Sequence, residues 1–466
     1  MSALKKITSV LLVENGGFVN ELLTRCVLLP MHERLRGRRT LKYYRKLQCD
    51  EMLAGNIIKS YQEEKFSKLI QHCFDNVSYY QDIFSSIGIY SANDIDISDL
   101  IKLPILERDN IRKNLKNIIA VKGYKGKLIK YNTGGSTGEP LVFFTDIDKE
   151  SQHNAQKLRA RSWFGVMPGS RQVDFWGSPI ELDKLSKIRI WKDKTLLNHR
   201  VLSAFNLTEE RLTVYAKVLK RFRPRLIYGY PTVIYRMADY IKKHPFIMEG
   251  WQPQLISCTS EMLYDHQRNI IADVFGCYVA NEYGSRDAGL IAHECPLGKM
   301  HIAMEHVFVE VDNPDQNGVG DLLITNLDGY GMPLIRYRVG DRGCLGEDKC
   351  ACGLQSPILT KLEGRVNDFI VGKDGKLIHS LAPIYVLRNI PKIQQFKLLQ
   401  YKNLSLEIFI VADSIIQNSE LEDVKLMLRK ILSLRVPVKF TFVKTIEPEK
   451  SGKYRWVVSK AEILNR

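Results

Sequence analysis

A glycine-rich segment at residues 133–140, Thr-Gly-Gly-Ser-Thr-Gly-Glu-Pro, has the composition of an anion-binding loop. Glycines allow successive backbone N–H groups to turn toward one anion, and the Ser and Thr hydroxyls add donors, which suits a triphosphate. The segment is not a Walker loop, because no Gly-Lys-Ser/Thr follows it and the next residues begin a strand. A Gly/Ser/Thr hairpin loop without a ligand is the alternative at this point.

Two further segments place polar groups where apolar strands end. The run Asn-Glu-Tyr-Gly-Ser-Arg-Asp at 281–287 could present an aromatic face to a base, with Asp287 near a divalent cation. The segment 333–341 ends in Asp341, which could accept hydrogen bonds from ribose hydroxyls. Turns that serve only the fold, and an Asp that caps its own backbone, are the simpler alternatives.

The last two segments lie toward the C-terminus. The run Gly-Arg-Val-Asn-Asp-Phe-Ile at 364–370 falls at the seam where a last domain begins, and Ser-Gly-Lys at 451–453 precedes the end of the chain. A lysine after a glycine is ordinarily a solvated turn residue. Lys453 therefore matters only if its domain folds it over a site.

In this order and spacing, the five segments resemble the acyl-adenylate-forming (AMP-binding) ligase superfamily. The likeness is greatest to the phenylacetate–coenzyme A ligase branch, which includes capsular-polysaccharide-biosynthesis proteins. The short region before the glycine-rich segment and the run Thr-Ser-Glu at 259–261 fit that branch. The likeness covers about residues 60–460, so it concerns nearly the whole chain.

The resemblance implies an AMP-forming, ATP-dependent ligase. Such an enzyme joins a carboxylate to ATP as an acyl-adenylate, releases pyrophosphate, and passes the acyl group to a nucleophile, usually a thiol. Three routes remain open for the second step: coenzyme A, an amine or sugar in surface polysaccharide synthesis, or nucleotidyl transfer onto a cofactor hydroxyl. A non-catalytic nucleotide-binding relative is the remaining alternative.

The resemblance also implies roles for particular residues. Lys453 would reach both the carboxylate and the α-phosphate, Arg286 would contact the α-phosphate, and Asp287 would approach Mg²⁺. Asn367 matches the hinge about which the last domain swings. The residues implied in binding ATP and AMP are Thr133, Gly134, Gly135, Ser136, Thr137, Gly138, Ser260, Glu261, Asn281, Glu282, Tyr283, Gly284, Ser285, Asp341 and Arg365.

Three positions depart from the pattern of the superfamily. Glu139 stands where the phosphate loop usually has Lys, which places a negative charge near the phosphates. Arg286 and Asp287 replace a hydroxyl residue followed by Glu, and Asn367 replaces a charged hinge residue. The first two changes fall in the nucleotide site, so they favour the non-catalytic alternative, whereas Lys453 and Asp341 oppose it.

Three cysteines and one histidine form a candidate metal site, separate from the nucleotide segments. Cys295, His301, Cys350 and Cys352 supply a complete tetrahedral set for a structural Zn²⁺. The spacing is not that of a zinc knuckle, so four unrelated residues are the alternative. Members of the phenylacetate-ligase branch with a structural zinc resemble this chain here, which favours zinc. We expect the other cysteines to be packing residues: Cys26, Cys49, Cys73, Cys258, Cys277 and Cys344.

Helices alternate with short apolar strands between residues 121 and 302, which predicts a layered α/β architecture with a mostly parallel sheet. A strand-rich subdomain follows. We predict a basic helical extension at 1–60, a large ATP- and substrate-binding domain at 61–365, and a small mobile α+β domain at 366–466, built around one helix near 419–434 and carrying Lys453. This is the fold expected of an adenylate-forming ligase.

The composition narrows the class of partner. The chain has 466 residues and a formal net charge of +16, which favours anionic partners such as nucleotides. No aromatic-interleaved or groove-reading motif supports nucleic-acid binding. An odd number of scattered cysteines, no apolar run of spanning length and no signal-peptide pattern indicate a cytoplasmic protein. The basic segment 33–48 leaves open a peripheral contact with the inner membrane face. A homodimer is also left open.

Overall fold

The computed structural model describes residues 20–51, 55–120, 126–132, 141–176, 187–204, 207–346, 349–365, 369–372, 377–379, 381–388, 390, 392–432, 436–447 and 455–461. The chain divides into two compact units. The first contains Met1–Val339 and Gly343–Lys361, and the second contains Gly340–Arg342 and Leu362–Arg466.

The first unit is α/β. Its helical segments are α1 (Glu21–Leu23, a π-helical turn Thr24–Leu28, and Leu29–Leu35), α2 (Thr40–Asp50), α3 (Gly55–Asn76), α4 (Ser78–Ser86), α5 (Arg108–Ile118), α6 (Ile147–Ser162), α7 (Lys187–Thr195), α8 (Glu209–Phe222), α9 (Pro231–Lys243) and α10 (Asp265–Phe275), with 3₁₀ turns at Ala92–Asp94, Ile97–Lys102 and Pro245–Ile247. Among the described helices, none combines the length and the apolarity needed to cross a bilayer.

An eleven-stranded sheet runs through the first unit, in the order β10-β11-β12-β13-β9-β8-β7-β6-β5-β3-β4. The strands are β3 (Gln172–Phe175), β4 (His199–Leu202), β5 (Leu226–Gly229), β6 (Leu255–Thr259), β7 (Tyr278–Ser285), β8 (Gly289–Glu294), β9 (Met300–Ile302), β10 (Val307–Asp312), β11 (Gly320–Asn326), β12 (Tyr337–Gly346) and β13 (Ile358–Arg365). The pairs among β4, β3, β5, β6 and β7 are parallel. From β7 to β8 and from β8 to β9 the pairing is antiparallel. The layered α/β prediction is confirmed.

A separate hairpin encloses the glycine-rich segment. Strands β1 (Leu128–Asn132) and β2 (Val142–Asp146) pair antiparallel, with Asn132 opposite Val142. Residues 133–140 between them lie outside the described residues. The predicted order of strand, glycine-rich connection and strand is therefore confirmed for the two strands.

The centre of the parallel half of the sheet is buried, whereas its edge strand β4 is partly exposed. Every residue of β5 and β6 is buried, and α8, α9 and α10 pack onto them in one apolar core that includes Phe222 and Ile234. Full burial of such a side chain contributes about 1.5–3 kcal/mol. Gly229 ends β5 at φ 153°, and a Cβ there would meet the Phe175 carbonyl oxygen, so only glycine permits this close approach.

The second unit has its own four-stranded sheet. Strands β16 (Ile393–Gln400), β17 (Leu406–Ala412), β18 (Val438–Phe442) and β19 (Val457–Ser459) lie in the order β18-β17-β16-β19, and β14 (Phe369–Val371) pairs with β15 (Leu377–His379). The predicted helix is present as α12 (Asn418–Leu432). A second helix, α11 (Leu381–Arg388), was not predicted, because eight residues that include Pro383 are too few to show a helical period.

The basic segment 33–48 is not one helix. Gly37, at φ 66°, ends the first helical stretch, and α2 begins at Thr40. Tyr44 and Leu47 of α2 pack on Ala155 of α6, and Arg38 forms a 2.5 Å ion pair with Glu150. The segment is thus attached to the first unit by one face of α2 and by an arginine.

Candidate nucleotide site and Cys/His centre

The predicted adenine segments leave the sheet side by side. Strands β6 and β7 are parallel, with Cys258 opposite Asn281 and Thr259 opposite Glu282. Ser260 directly follows β6 in the left-handed region at φ 68°, which turns the chain sharply at the edge of the sheet. The carboxyl ends of parallel strands are where open α/β sheets bind ligands. The register therefore brings Ser260 close to the Tyr283 segment.

Glu261 joins the end of β6 to the start of α9. Its Oε2 accepts a hydrogen bond from the Thr232 backbone N–H at 3.2 Å and another from the Thr232 hydroxyl. Thr232 lies in the first turn of α9, where unpaired N–H groups and the helix dipole favour a carboxylate. The predicted nucleotide residue Glu261 thus also fixes the position of α9, which begins directly after β5.

Glu282 is buried among cations. Its carboxylate lies 2.9 Å from Lys157 Nζ, accepts a 2.8 Å hydrogen bond from the Tyr228 hydroxyl, and is 4.0 Å from Arg161. Burial alone would raise the pKa of Glu282, but the charges of Lys157 and then Arg161 lower it to about 2. Glu282 is therefore ionised at neutral pH. We call Glu282, Lys157, Arg161 and Tyr228 the Glu282 cluster.

Asp287 is also buried and ionised. Its Oδ2 accepts a 2.6 Å hydrogen bond from the Tyr337 hydroxyl. Burial opposes ionisation, but hydrogen bonds from Ser285 and Tyr337 lower the pKa of Asp287 below its usual value. The Lys149 ammonium donates to the Asp287 backbone oxygen at 2.7 Å, so the whole turn is held from α6. The neighbouring Arg286 is exposed.

Helix α6 supplies the groups that sequence reasoning missed. Lys149, His153, Lys157 and Arg161 are spaced four residues apart, so they share one face, and that face meets β7 and β8. Burial lowers the pKa of His153 well below its usual value, and the neutral ring accepts a 2.7 Å hydrogen bond from the Leu290 N–H. A basic residue at every fourth position of a predicted helix was the pattern that could have revealed these contacts.

The other nucleotide residues are placed as follows. Asn281 donates its N–H to Glu294 at 2.7 Å, Tyr283 is buried, and Gly284 and Ser285 end β7. Asp341 is half-buried on β12, within the segment assigned to the second unit, and Arg365 ends β13. Outside the described residues lie Thr133, Gly134, Gly135, Ser136, Thr137, Gly138, Glu139, Asn367 and Lys453.

The structure brings the predicted Cys/His set together. One ligand atom from each of the four side chains lies within 4.8 Å of the others. The Cys295 and Cys350 sulfurs are 3.8 Å apart, and the Cys352 sulfur is 3.3 Å from His301 Nε2. Sulfurs bound at about 2.3 Å around a tetrahedral Zn²⁺ stand about 3.8 Å apart, so the set fits this ion.

The surroundings also suit metal binding. Cys295 follows β8, His301 lies on β9 opposite Ile358 of β13, and the other two cysteines precede β13. His301 Nδ1 is 3.0 Å from the Ser356 hydroxyl, the type of contact that orients a metal-binding imidazole through Nε2. Burial lowers the pKa of His301, so its ring is neutral as a ligand must be.

The cysteines outside this set divide into two groups. Cys73 and Cys258 are buried and Cys277 and Cys344 are partly buried, in agreement with a packing role. The packing prediction was wrong for Cys26 and Cys49, which are exposed on α1 and α2. Their helices contact the first unit through other faces, which the sequence alone did not indicate.

Comparison with known proteins bears on the whole chain. A model of the CapK C-terminal domain matches residues 370–460. Protein CapK of Staphylococcus aureus is 28% identical over 91% of this chain and 94% of its own length. A phenylacetate–coenzyme A ligase of Thermus thermophilus is 23% identical over 74% of this chain and 78% of its own. These relatives support assignment of the chain to the adenylate-forming ligase superfamily.

Solved structures agree with this superfamily assignment at the level of the fold. A crystal structure of 2-hydroxyisobutyryl-CoA ligase in the postadenylation state, in complex with R3-HIB-AMP, matches with a TM-score of 0.69 and 15% identity. The match covers 88% of this chain and 91% of the ligase. The adenylate-forming ligase fold predicted from the sequence is thus confirmed, including its small C-terminal domain.

Proposed function

We propose that this member of the superfamily is an ATP-dependent ligase that activates a carboxylate as an acyl-adenylate and passes the acyl group to an acceptor. In the first step a carboxylate oxygen attacks the α-phosphorus of ATP, and the bond to the β-phosphate breaks with release of pyrophosphate. In the second step a thiol or amine attacks the acyl carbon and AMP leaves. The relatives named as phenylacetate–coenzyme A ligases support this chemistry and favour coenzyme A as acceptor.

The register of β6 and β7 carries the proposal. It sets the turn at Ser260 beside the Tyr283 segment at the carboxyl ends of two parallel strands, where a planar base would have an aromatic neighbour. Glu261 and Glu282 are held by Thr232 and by the cations of α6 respectively. The turn that would receive AMP is therefore anchored from two sides before any ligand arrives.

The implied roles of the remaining residues complete the proposal. Thr133 to Gly138 would hold the β- and γ-phosphates, Asp341 the ribose hydroxyls with Arg365 nearby, and Asp287 the Mg²⁺. Arg286, which is exposed at the same turn, would contact the α-phosphate. Lys453 would neutralise the charge that develops as the carboxylate meets the α-phosphate. Asn367 would be the hinge between the two steps.

A structural Zn²⁺ in the Cys/His centre is part of the proposal. Three thiolates and one imidazole fill a tetrahedral shell, so no position remains for substrate. Its contribution is to connect the β8–β9 hairpin with the segment before β13. A role in surface polysaccharide synthesis rests on the similarity to Protein CapK, and it favours an amine or sugar as the second acceptor class.

The test is carboxylate-dependent exchange of labelled pyrophosphate into ATP, with aryl acids, fatty acids, amino acids and uronic acids offered in turn. Lys453→Ala should abolish exchange and leave ATP binding largely intact. Lys450→Ala, which removes a lysine from the same short segment, is the matched control and should keep its activity. Exchange retained by Lys453→Ala would contradict the assigned role.

The outcome of the panel also separates the alternatives. Exchange with one class of acid, lost in Lys453→Ala, establishes adenylation and narrows the substrate. Silence with every acid, while AMP still raises the melting temperature, favours nucleotidyl transfer to a hydroxyl. If no acid supports exchange and no nucleotide changes the melting temperature, the protein is a non-catalytic relative, and Glu139 and Arg286 are the substitutions that distinguish it.

A further inference from the structure

Helix α1 contacts the rest of the first unit through several polar side chains. Glu21 forms ion pairs with Arg171 at 3.0 Å and Arg225 at 2.8 Å. The Thr24 hydroxyl donates to the Leu196 carbonyl at 3.2 Å, and Arg25 Nε donates to the Pro168 carbonyl at 3.0 Å. A helix on a protein surface usually does the reverse and buries its apolar face.

The opposite face of α1 is an exposed apolar stripe. Its exposed fractions are 63% for Leu22, 42% for Val27, 57% for Met31 and 84% for Leu35. The first two residues are five positions apart across the π-helical turn, and the others follow at intervals of four, so each is about one turn from the next. In a regular α-helix, without the extra residue of the π-helical turn, Leu22 would not lie on the same face as the other three residues.

Exposed cations follow the stripe along the chain. Arg34, Arg36, Arg39, Lys42 and Arg45 are all exposed on or between α1 and α2, and no Asp or Glu occurs from residue 34 to residue 49. Glu33, which precedes them, is buried. We call these five residues the basic arc. Arg39 lies 4.0 Å from the Asp148 carboxylate, which belongs to another helix. An apolar stripe followed by exposed cations is the composition of a segment that lies on an anionic bilayer.

We propose that the apolar stripe of α1 and the basic arc dock this protein onto the surface of an anionic lipid bilayer. Charge complementarity favours a lipid surface with negative headgroups, and the apolar side chains would enter the boundary between headgroups and acyl chains. Trp191, 49% exposed, lies on α7, the helix whose Lys192 is 2.8 Å from His32 of α1. Trp is the side chain enriched at membrane–water boundaries.

The experiment is co-sedimentation of the full chain with vesicles of two compositions: pure phosphatidylcholine, and an equal mixture of phosphatidylcholine with phosphatidylglycerol. We expect binding to the mixed vesicles, weak binding to the neutral ones, and a decrease with added salt. The charge variant Lys42→Glu with Arg45→Glu should lower binding by about tenfold or more. The apolar variant Leu22→Ser with Met31→Ser should lower binding to the mixed vesicles as well.

Matched controls come from other surfaces. Leu426 and Met427 of α12 are exposed by 68% and 49%, so Leu426→Ser with Met427→Ser repeats the apolar change elsewhere. Lys113→Glu with Lys116→Glu repeats the charge reversal on α5, where both lysines are exposed. All four proteins should keep the wild-type circular dichroism spectrum and pyrophosphate exchange, since none of these residues is assigned to the nucleotide site.

Three results would overturn the proposal. The first is no binding to the mixed vesicles. The second is an equal loss in the control variants, which would reduce the effect to net charge or general hydrophobicity. The third is a dimer that dissociates when Leu22 and Met31 are replaced while vesicle binding stays unchanged, because the stripe would then belong to a second copy of the chain.

Discussion

The Cys/His centre and the Glu282 cluster are both polar sites within the first unit, but they satisfy their polar groups in different ways. In the Cys/His centre, three thiols and one imidazole converge, with their ligand atoms within 4.8 Å of one another. In the Glu282 cluster, one carboxylate faces two cations and a hydroxyl, so its negative charge is already compensated. The first arrangement suits an added cation, and the second already has its own.

The pKa values express the same contrast. Burial raises the pKa of the Cys352 thiol to about 12, so this ligand would release a proton on binding a metal. Lys157 and Arg161 lower the pKa of Glu282 to about 2 against the effect of burial. The Cys/His set thus suits a metal ion, whereas the compensated carboxylate of Glu282 points to a structural or positioning role.

The largest effect is expected at the Cys/His centre. Cys350→Ser should remove bound zinc and lower the free energy of unfolding by about 4 kcal/mol, the value of a ligand present at a thousand times its Kd. Elemental analysis of protein purified without chelator and urea unfolding measure the two quantities. Cys49→Ser, which changes an exposed cysteine, should affect neither. A wild-type protein without stoichiometric zinc would end the zinc assignment.

The Glu282 cluster should respond without any change in metal content. Glu282→Gln leaves Lys157 and Arg161 buried without their counter-charge, and breaking such a pair costs about 3 kcal/mol. Asp239→Asn breaks an exposed pair with Lys243, 3.2 Å long, and should cost less than about 1 kcal/mol. Equal losses in the two variants would mean that water reaches Glu282 and that the cluster is not buried in solution.

The difference between wild type and Glu282→Gln should depend on pH. The pKa of Glu282 in the folded protein, about 2, lies below the ordinary value of 4.5. The carboxylate therefore stabilises the fold above about pH 4.5, and this stabilisation is lost as pH falls toward 2. Urea unfolding of both proteins from neutral pH downward should show their stabilities converging only in that acid range. Convergence near neutral pH would contradict the lowered pKa.

The two sites differ in how far the sequence could predict them. Residue type identified the four members of the Cys/His centre, which come from two distant segments of the chain. The resemblance to ligases with a structural zinc then favoured a metal site over four unrelated residues. Glu282 was identified only as part of a run with Asn281 and Tyr283. Because strand residues alternate between the two faces of a sheet, Glu282 faces the opposite side from Asn281 and Tyr283, and its role should have been predicted separately from theirs. Its partners on α6 required the tertiary structure.

The same physical limit applies to the fold. Strands β5 and β6 and helices α8 and α9 lie between residues 121 and 302, where alternating helices and short apolar strands were predicted. Helix α11 is too short for that, and the inverted polarity of α1 depends on which side meets Arg171 and Arg225, which no local pattern specifies. Apolar periodicity identifies a helix, but it does not show whether the helix buries its polar or its apolar face.

The smallest effect is expected where a carboxylate is held by neutral donors. Thr232→Val removes the hydroxyl that donates to Glu261 but keeps the backbone donor, so stability should fall by about 1 kcal/mol. Thr213→Val removes a hydroxyl that bonds Tyr240 at 2.8 Å, away from the strand ends, and should cost a similar amount. Only Thr232→Val should also weaken AMP binding, measured by calorimetry, because Glu261 lies next to Ser260 at the proposed adenine turn. Equal AMP affinities in the two variants would separate Glu261 from the nucleotide and leave it with the single task of fixing α9.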